Sequence, residues 1–231
     1  MPHHRPALFA FSWTGVTAIC LCCLFGMFTL QLIGVYLAGL AYYPKSTQMD
    51  VANLITQGSQ NGVVVALSVI FTALVFTLVS LLLVFLKFKK LNNTHDIHTW
   101  QAMKYFFGIK SPTLTSVIIS LINLIIFMVI SEILTVIADK SPMDFLDGLI
   151  NQQSQLLLIF AIIIIAPIYE ELVFRGLIFG AISHQAGLDT APIRLFGHVH
   201  IKKNTLMATL ISSILFTLVH LQYDLFGMAL I

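Results

Sequence analysis

Five stretches of this 231-residue chain carry no Asp, Glu, Lys or Arg, and each is long enough to cross a bilayer. They lie between Arg5 and Lys45, Asp50 and Lys87, Lys110 and Glu132, Asp147 and Glu170, and Lys203 and Asp224. About 20 apolar residues in helical form span the hydrocarbon core. A helix also satisfies its own backbone hydrogen bonds, which lipid cannot do for it. We therefore expect an all-α fold: a polytopic transmembrane helix bundle with about five spans. Barrel strands alternate in polarity and run only about 9–11 residues, which these uniform stretches do not. The composition agrees, since 10% of residues are charged and 58% hydrophobic, against roughly 25% charged in soluble domains. A net charge of +2 gives no reason to expect a nucleic-acid partner, and we expect none. The bilayer itself is the expected surrounding.

The first apolar region, Ala7 to Tyr43, far exceeds the 7–15 residues of a signal-peptide core and is read as a span. Cys20, Cys22 and Cys23 lie inside it and form no C-x-x-C pair, so we expect buried, reduced thiols. Helix 1 is expected over Phe9–Tyr43 and helix 2 over Val63–Phe88, joined by a polar loop from Pro44 to Gly62. The loop after helix 2 carries Lys89, Lys90, Lys104 and Lys110, with Trp100, Tyr105, Phe106 and Phe107 around Lys104. That aromatic-flanked stretch fits a short helix lying flat at the interface. His95 and His98 sit in the same loop and are read as solvated. Helix 3 is expected over Pro112–Ala138, with Glu132 near its end facing the bundle or reaching the interface. Ser141-Pro142-Met143-Asp144 reads as a helix start. Helix 4 follows over Leu156–Ser183 and helix 5 over Thr205–Tyr223. The loops after helices 2 and 4 are basic. The loop after helix 3 is acidic through Asp139, Asp144 and Asp147. The positive-inside rule then places the N-terminus and the basic loops in the cytoplasm. We divide the chain at 150: residues 1–150 hold helices 1–3 and the basic loop, and residues 151–231 hold helices 4 and 5.

Helix 4 contains the feature that apolar packing cannot explain. Pro167-Ile168-Tyr169-Glu170-Glu171-Leu172-Val173-Phe174-Arg175-Gly176 places three ionisable groups inside a span. Each costs about 2.5–3.5 kcal/mol on insertion scales. Glu171 and Arg175 are four apart and can form an intrahelical ion pair, expected here to be buried. Glu170 lies about 100° around the helix and is free to face elsewhere. In helix 5, Phe216 and His220 are four apart on one face. A carboxylate and an imidazole within a bundle can activate a water by general-base catalysis or bind a divalent metal. A structural pair and a satisfied core histidine are the plainer alternatives. Counted along straight helices from opposite membrane surfaces, Glu170 and His220 miss each other by about 13 Å. We nevertheless expect them to share one polar cavity, because the start of helix 5 is poorly fixed by sequence.

The E-E-x-x-x-R stretch of Glu170, Glu171 and Arg175, with F-x-x-x-H at Phe216 and His220, resembles the CAAX-protease and bacteriocin-processing (CPBP, or Abi) intramembrane proteases. The resemblance covers about Leu156 to Ile231 and implies a partial CPBP-like protease core there. It implies an endopeptidase acting on a membrane-associated peptide or protein substrate, prenylated CAAX or bacteriocin-like. Glu170 would be the water-activating base, Glu171 and Arg175 its support, and His220 would position water, metal or oxyanion. A divalent metal such as zinc would be held by Glu170 and His220, although no H-E-x-x-H occurs. The location implied is a bacterial inner membrane. The family pattern adds a later histidine with a polar residue four positions on. The sequence reaches Ile231 without it, ending within the apolar run Leu225 to Ile231, as a fragment of a longer chain would. Two other classes fit the same residues. One is a non-catalytic membrane immunity or scaffold protein of this family. The other is a transporter component with Glu170, Glu171 and His220 on an ion path, although no internal repeat of the kind common in transporters is visible.

Overall fold

The structure is a computed structural model, which describes residues 11–44, 48–95, 98–109, 111–139, 149, 155–184, 193–195 and 199–220. Its helices are α1 (Trp13–Tyr42), α2 (Val51–Ser59), α3 (Gly62–His95), α4 (Thr99–Phe106), α5 (Leu114–Ala138), α6 (Gln155–Ser183) and α7 (Lys203–Leu218). A small antiparallel hairpin, β1 (Ile193–Leu195) and β2 (Val199–Ile201), lies between α6 and α7. Helices α1, α3, α5 and α6 are each long and apolar enough to cross a membrane, and α7 is a shorter apolar helix. The helical membrane bundle read from the charge-free stretches is thus the observed fold. The expected helix start at Ser141 to Asp144 lies outside the described residues, as do residues 221–223 of the expected fifth helix.

Four of the helices begin where the sequence offers caps. Ser12 Oγ accepts from the Gly15 N–H at the start of α1, and Thr113 Oγ1 accepts from Ser116 N–H ahead of α5. Asn61 Oδ1 accepts from the N–H groups of Val63 and Val64 at the start of α3. The segment from Pro44 to Gly62 is not simply a loop, which corrects the expectation. Asp50 caps α2 by accepting from Asn53 N–H at 2.7 Å. Leu54 and Gly58 then turn inward, Leu54 against Gly39 and Gly58 against Val35 of α1. The polar residues between them face outward, which is why the stretch reads as a loop by composition.

Helices α1 and α3 pack through close backbone approach and one polar clamp. A Cβ at Gly34 would sit 3.0 Å from the Ser68 Cα, so only glycine permits this separation. Gln31 reaches across: its Nε2 donates to Ser68 Oγ at 2.7 Å, and its Oε1 accepts from Thr72 Oγ1 at 3.1 Å. Ser68 and Thr72 are fully buried. Gln31→Leu strands the Thr72 hydroxyl, so we expect it to lower bundle stability by about 1–2 kcal/mol. A thermal melt in detergent micelles measures this, with Gln31→Glu as the variant that keeps an acceptor.

The main core joins α1, α3, α4, α6 and α7, with Phe88, Phe106, Val173, Ile178, Ile182 and Ala208 at its centre. The short helix expected around Lys104 is α4. Its Ala102, Met103 and Phe106 are buried, while Trp100, Lys104 and Tyr105 are exposed. By contrast, α5 buries none of its described side chains. Glu132 is exposed and does not face the described bundle. It lies six residues before Ala138, about 9 Å along the axis, so its carboxylate is near the helix end rather than at mid-membrane.

Candidate active site

The site is built on an irregular part of α6. The helix is α-helical over Gln155–Phe160, widens to a π-helix over Ala161–Ile165, returns to α over Ala166–Glu170, widens again over Glu171–Ile178 and closes as α over Phe179–Ser183. Pro167 explains the first wide turn. In a regular α-helix its ring would press on the Ile163 carbonyl four residues back, and it has no N–H to offer. The backbone relieves this by opening to i→i+5 spacing: Ala166 N–H donates to Ala161 O. Wide turns of this kind are rare and gather at functional sites. The second begins at Glu171, directly after Glu170.

This geometry separates the two glutamates. The Glu170 side chain points inward and is 16% exposed, while Glu171 points outward and is 56% exposed. Arg175 Nη1 donates to Glu171 Oε1 at 2.6 Å, with the arginine side chain 76% exposed. The ion pair is present, but the expectation that it is buried is corrected. Among the described residues the bundle covers the face of α6 bearing Val173, Phe174 and Leu177, and the ion pair lies off that face. Both side chains also line the open cleft between α6 and α7, and an ion pair wetted there contributes about 0–1 kcal/mol. We therefore expect Arg175→Ala to leave folding and membrane yield close to wild type. Comparing detergent-extracted yields and melting curves with those of Arg175→Lys checks this.

Glu170 meets His220. Their closest atoms, Oε1 and Nε2, are 3.7 Å apart, and the His220 side chain is 13% exposed. The other ring nitrogen, Nδ1, lies 2.7 Å from the Phe216 carbonyl oxygen. A carbonyl only accepts, so Nδ1 carries a proton and the lone pair of a neutral ring sits on Nε2, facing the glutamate. Phe216 holds the ring from beside it, with centroids 4.5 Å apart, and is itself wedged edge-on against Phe174 of α6. Tyr169 is buried next to Glu170, and its phenol interacts with that carboxylate.

The separation of about 13 Å expected for straight helices takes the wrong landmark as its origin. Asn204 Nδ2 donates to Ser183 O at 2.6 Å, which pins the start of α7 level with the end of α6. From that point Glu170 lies thirteen residues back and His220 sixteen forward. The offset of three residues is about 4.5 Å, within side-chain reach.

Glu170, Glu171 and Arg175 open onto a cleft of ≈ 670 Å³ between α6 and α7. Pro167, Phe174 and Phe179 line the α6 wall, and Thr209, Ser212, Ser213, Phe216 and Thr217 line the α7 wall. The hydroxyl-bearing wall was missed by sequence reasoning, which singled out only Phe216 and His220 on this helix and passed over Ser212 and Ser213. Their spacing with Thr209 and Thr217 on one helical face was the available signal. Behind α6, helix α4 packs on Gly176 and Gly180, where the Phe107 and Phe106 rings occupy the room a side chain would need. His184 at the end of α6 stacks on Tyr105 and Phe106. Burial, with the nearby Lys87 charge, lowers its imidazole below the usual range.

Among the described residues, no three of His, Cys, Asp and Glu come together as a metal site. Glu170 and His220 are two ligands, one short of the three protein ligands of a catalytic zinc. The described side chains do not by themselves fit a metal. His98 is exposed at the start of α4, and His95 lies at the end of α3.

These elements form a multi-pass membrane protein with a carboxylate–imidazole pair beside an open interhelical cleft. Residues 152–231 match the model of the family Type II CAAX prenyl endopeptidase Rce1-like. The match covers the stretch carrying both motifs, so the resemblance read from them is borne out there, and the family is one of proteases. No curated protein and no solved structure matches the chain.

Proposed function

We propose that the protein is an intramembrane endopeptidase of the CPBP type in which Glu170 activates the hydrolytic water. The observation that carries this is the 3.7 Å approach of Glu170 Oε1 to His220 Nε2 beside the α6–α7 cleft. That gap is too long for a direct hydrogen bond but suits one water bonded to both groups. His220 Nε2 accepts one proton of this water and fixes its orientation. The Glu170 carboxylate removes the other as the oxygen attacks the scissile carbonyl carbon. The tetrahedral intermediate collapses, the C–N bond breaks, and the proton passes from Glu170 to the leaving amine. Burial of both side chains strengthens these interactions relative to water.

The substrate class is a peptide carried on the membrane, and a prenylated cysteine followed by three residues is its best candidate. The cleft opens between two apolar helices, so a lipid-anchored chain enters it from the bilayer side. Expected orientation puts the basic loops and the N-terminus in the cytoplasm, in a bacterial inner membrane. The test is incubation of the protein in liposomes with an S-farnesylated peptide of this form, followed by mass spectrometry. Release of the terminal tripeptide is expected, and an intact substrate beside an active reference protease would overturn the assignment. A divalent metal would find Glu170 and His220 as two of its ligands. Loss of activity on chelation and its return with zinc would require a third ligand outside the described residues.

A further inference from the structure

The α7 wall of the cleft carries hydroxyls that the chemistry at Glu170 does not use. Thr209 Oγ1 donates to Thr205 O and Ser212 Oγ donates to Thr209 O, so both are turned back onto their own helix. Such back-bonding is the ordinary way for a membrane helix to satisfy a hydroxyl. Thr17, Thr29 and Thr56 do the same. Ser213 and Thr217 differ: both line the cleft, and neither hydroxyl has a hydrogen-bond partner among the described residues. Ser213 is exposed and Thr217 half-buried, so both hydroxyls are open to a polar ligand in the cleft.

We propose that Ser213 and Thr217 bind the main chain of an extended peptide lying along α7. The spacing matches. Residues four apart on a helix are separated by about 6 Å along its axis. An extended chain rises about 3.3 Å per residue, and the backbone groups on one edge recur every second residue, at about 6.7 Å. Two hydroxyls at this interval therefore meet the same edge of the peptide at alternate residues. Each can donate to a carbonyl or accept from an N–H. The row leads to the reacting pair, since Thr217 is three residues from His220. Main-chain recognition is indifferent to side chains, so this edge would hold substrates of varied sequence. The inference rests on the proposed peptidase reading and names how that site takes its substrate.

The test uses Ser213→Ala, Thr217→Val and the double variant in liposomes. Each single change is expected to raise KM about threefold to tenfold, the value of one net hydrogen bond, with kcat little altered. A parallel binding measurement does not depend on cleavage. A fluorescein-labelled, S-farnesylated peptide is titrated into the Glu170→Gln protein, beside the same peptide N-methylated at alternate backbone amides. The unmodified peptide should bind more tightly, and the preference should vanish in Glu170→Gln with both hydroxyls removed. If that preference is seen but wild type cleaves nothing, the peptidase reading fails and the binding edge stands. If wild type cleaves while KM and the binding preference are unchanged by the double variant, the edge is overturned. Absence of binding by either peptide also overturns it.

Discussion

Replacing Glu170 by glutamine is expected to lower hydrolysis by about 10²- to 10⁴-fold, the usual contribution of a general base. Glutamine keeps the size and one acceptor oxygen, so the wall of the cleft survives. It cannot take the proton from the attacking water. His220 Nε2 then faces a neutral amide instead of a carboxylate, and its Nδ1 bond to the Phe216 carbonyl is untouched. The fold should be retained, because the side chain makes no packing contribution that the amide lacks. Turnover of the farnesylated peptide, measured beside a melting curve, separates the two effects. A variant that melts like wild type yet cleaves at more than a tenth of its rate would remove Glu170 from the chemistry. His220→Ala is expected to fall in the same direction but less far, since it orients the water rather than taking its proton.

The second large effect is expected at Gly180. A Cβ there would lie 3.1 Å from the Phe106 ring and equally close to the Phe106 carbonyl oxygen. The ring cannot give way easily, for Phe11, Phe88, Phe107 and His184 surround it. The carbonyl belongs to the backbone and moves only with α4. Gly180→Leu should therefore lift α4 from α6 and cost about 1–3 kcal/mol or more. A Cβ at Gly176 would come closer still, 2.5 Å from the Phe107 ring, but that neighbour is a half-buried side chain that can turn away, whereas at Gly180 the backbone must move. Gly176→Ala should accordingly cost less than Gly180→Ala. Denaturation in mixed micelles checks the order of the two, and equal stabilities would show that α4 is free to shift. Activity should fall with Gly180→Leu as well, since α4 backs the same helix that carries Glu170 on its other side.

The spans were legible because one property, the absence of charge over about twenty residues, decides a membrane helix almost alone. The short helices were harder to see. Helix α4 announced itself through aromatics flanking Lys104, whereas α2 hides its apolar positions, Leu54 and Gly58, among polar residues. The hairpin at Ile193–Leu195 and Val199–Ile201 gave no signal beyond a few β-branched residues. For the site, residue types and spacing pointed to Glu170 and His220, and the structure brings them together. What sequence could not supply was the register of α7 against α6, which the contact from Asn204 to the Ser183 carbonyl marks. Nor could it tell which side of α6 is covered. Glu171 and Arg175 read as a buried pair only if helix 4 is surrounded, and the described residues leave their face open.

Helix α5 touches so little of the described protein that its worth lies in counting rather than in contact. A helix without packing partners among the described residues enters the bilayer on its own hydropathy, and this one is long and apolar enough to do so. Each crossing reverses the side on which the next begins. With α5 removed, α6 would start from the opposite face, and Glu170, His220 and their cleft would be delivered upside down to the membrane. Among the described residues, the demand on α5 is therefore one of length and apolarity, which sets the number of crossings.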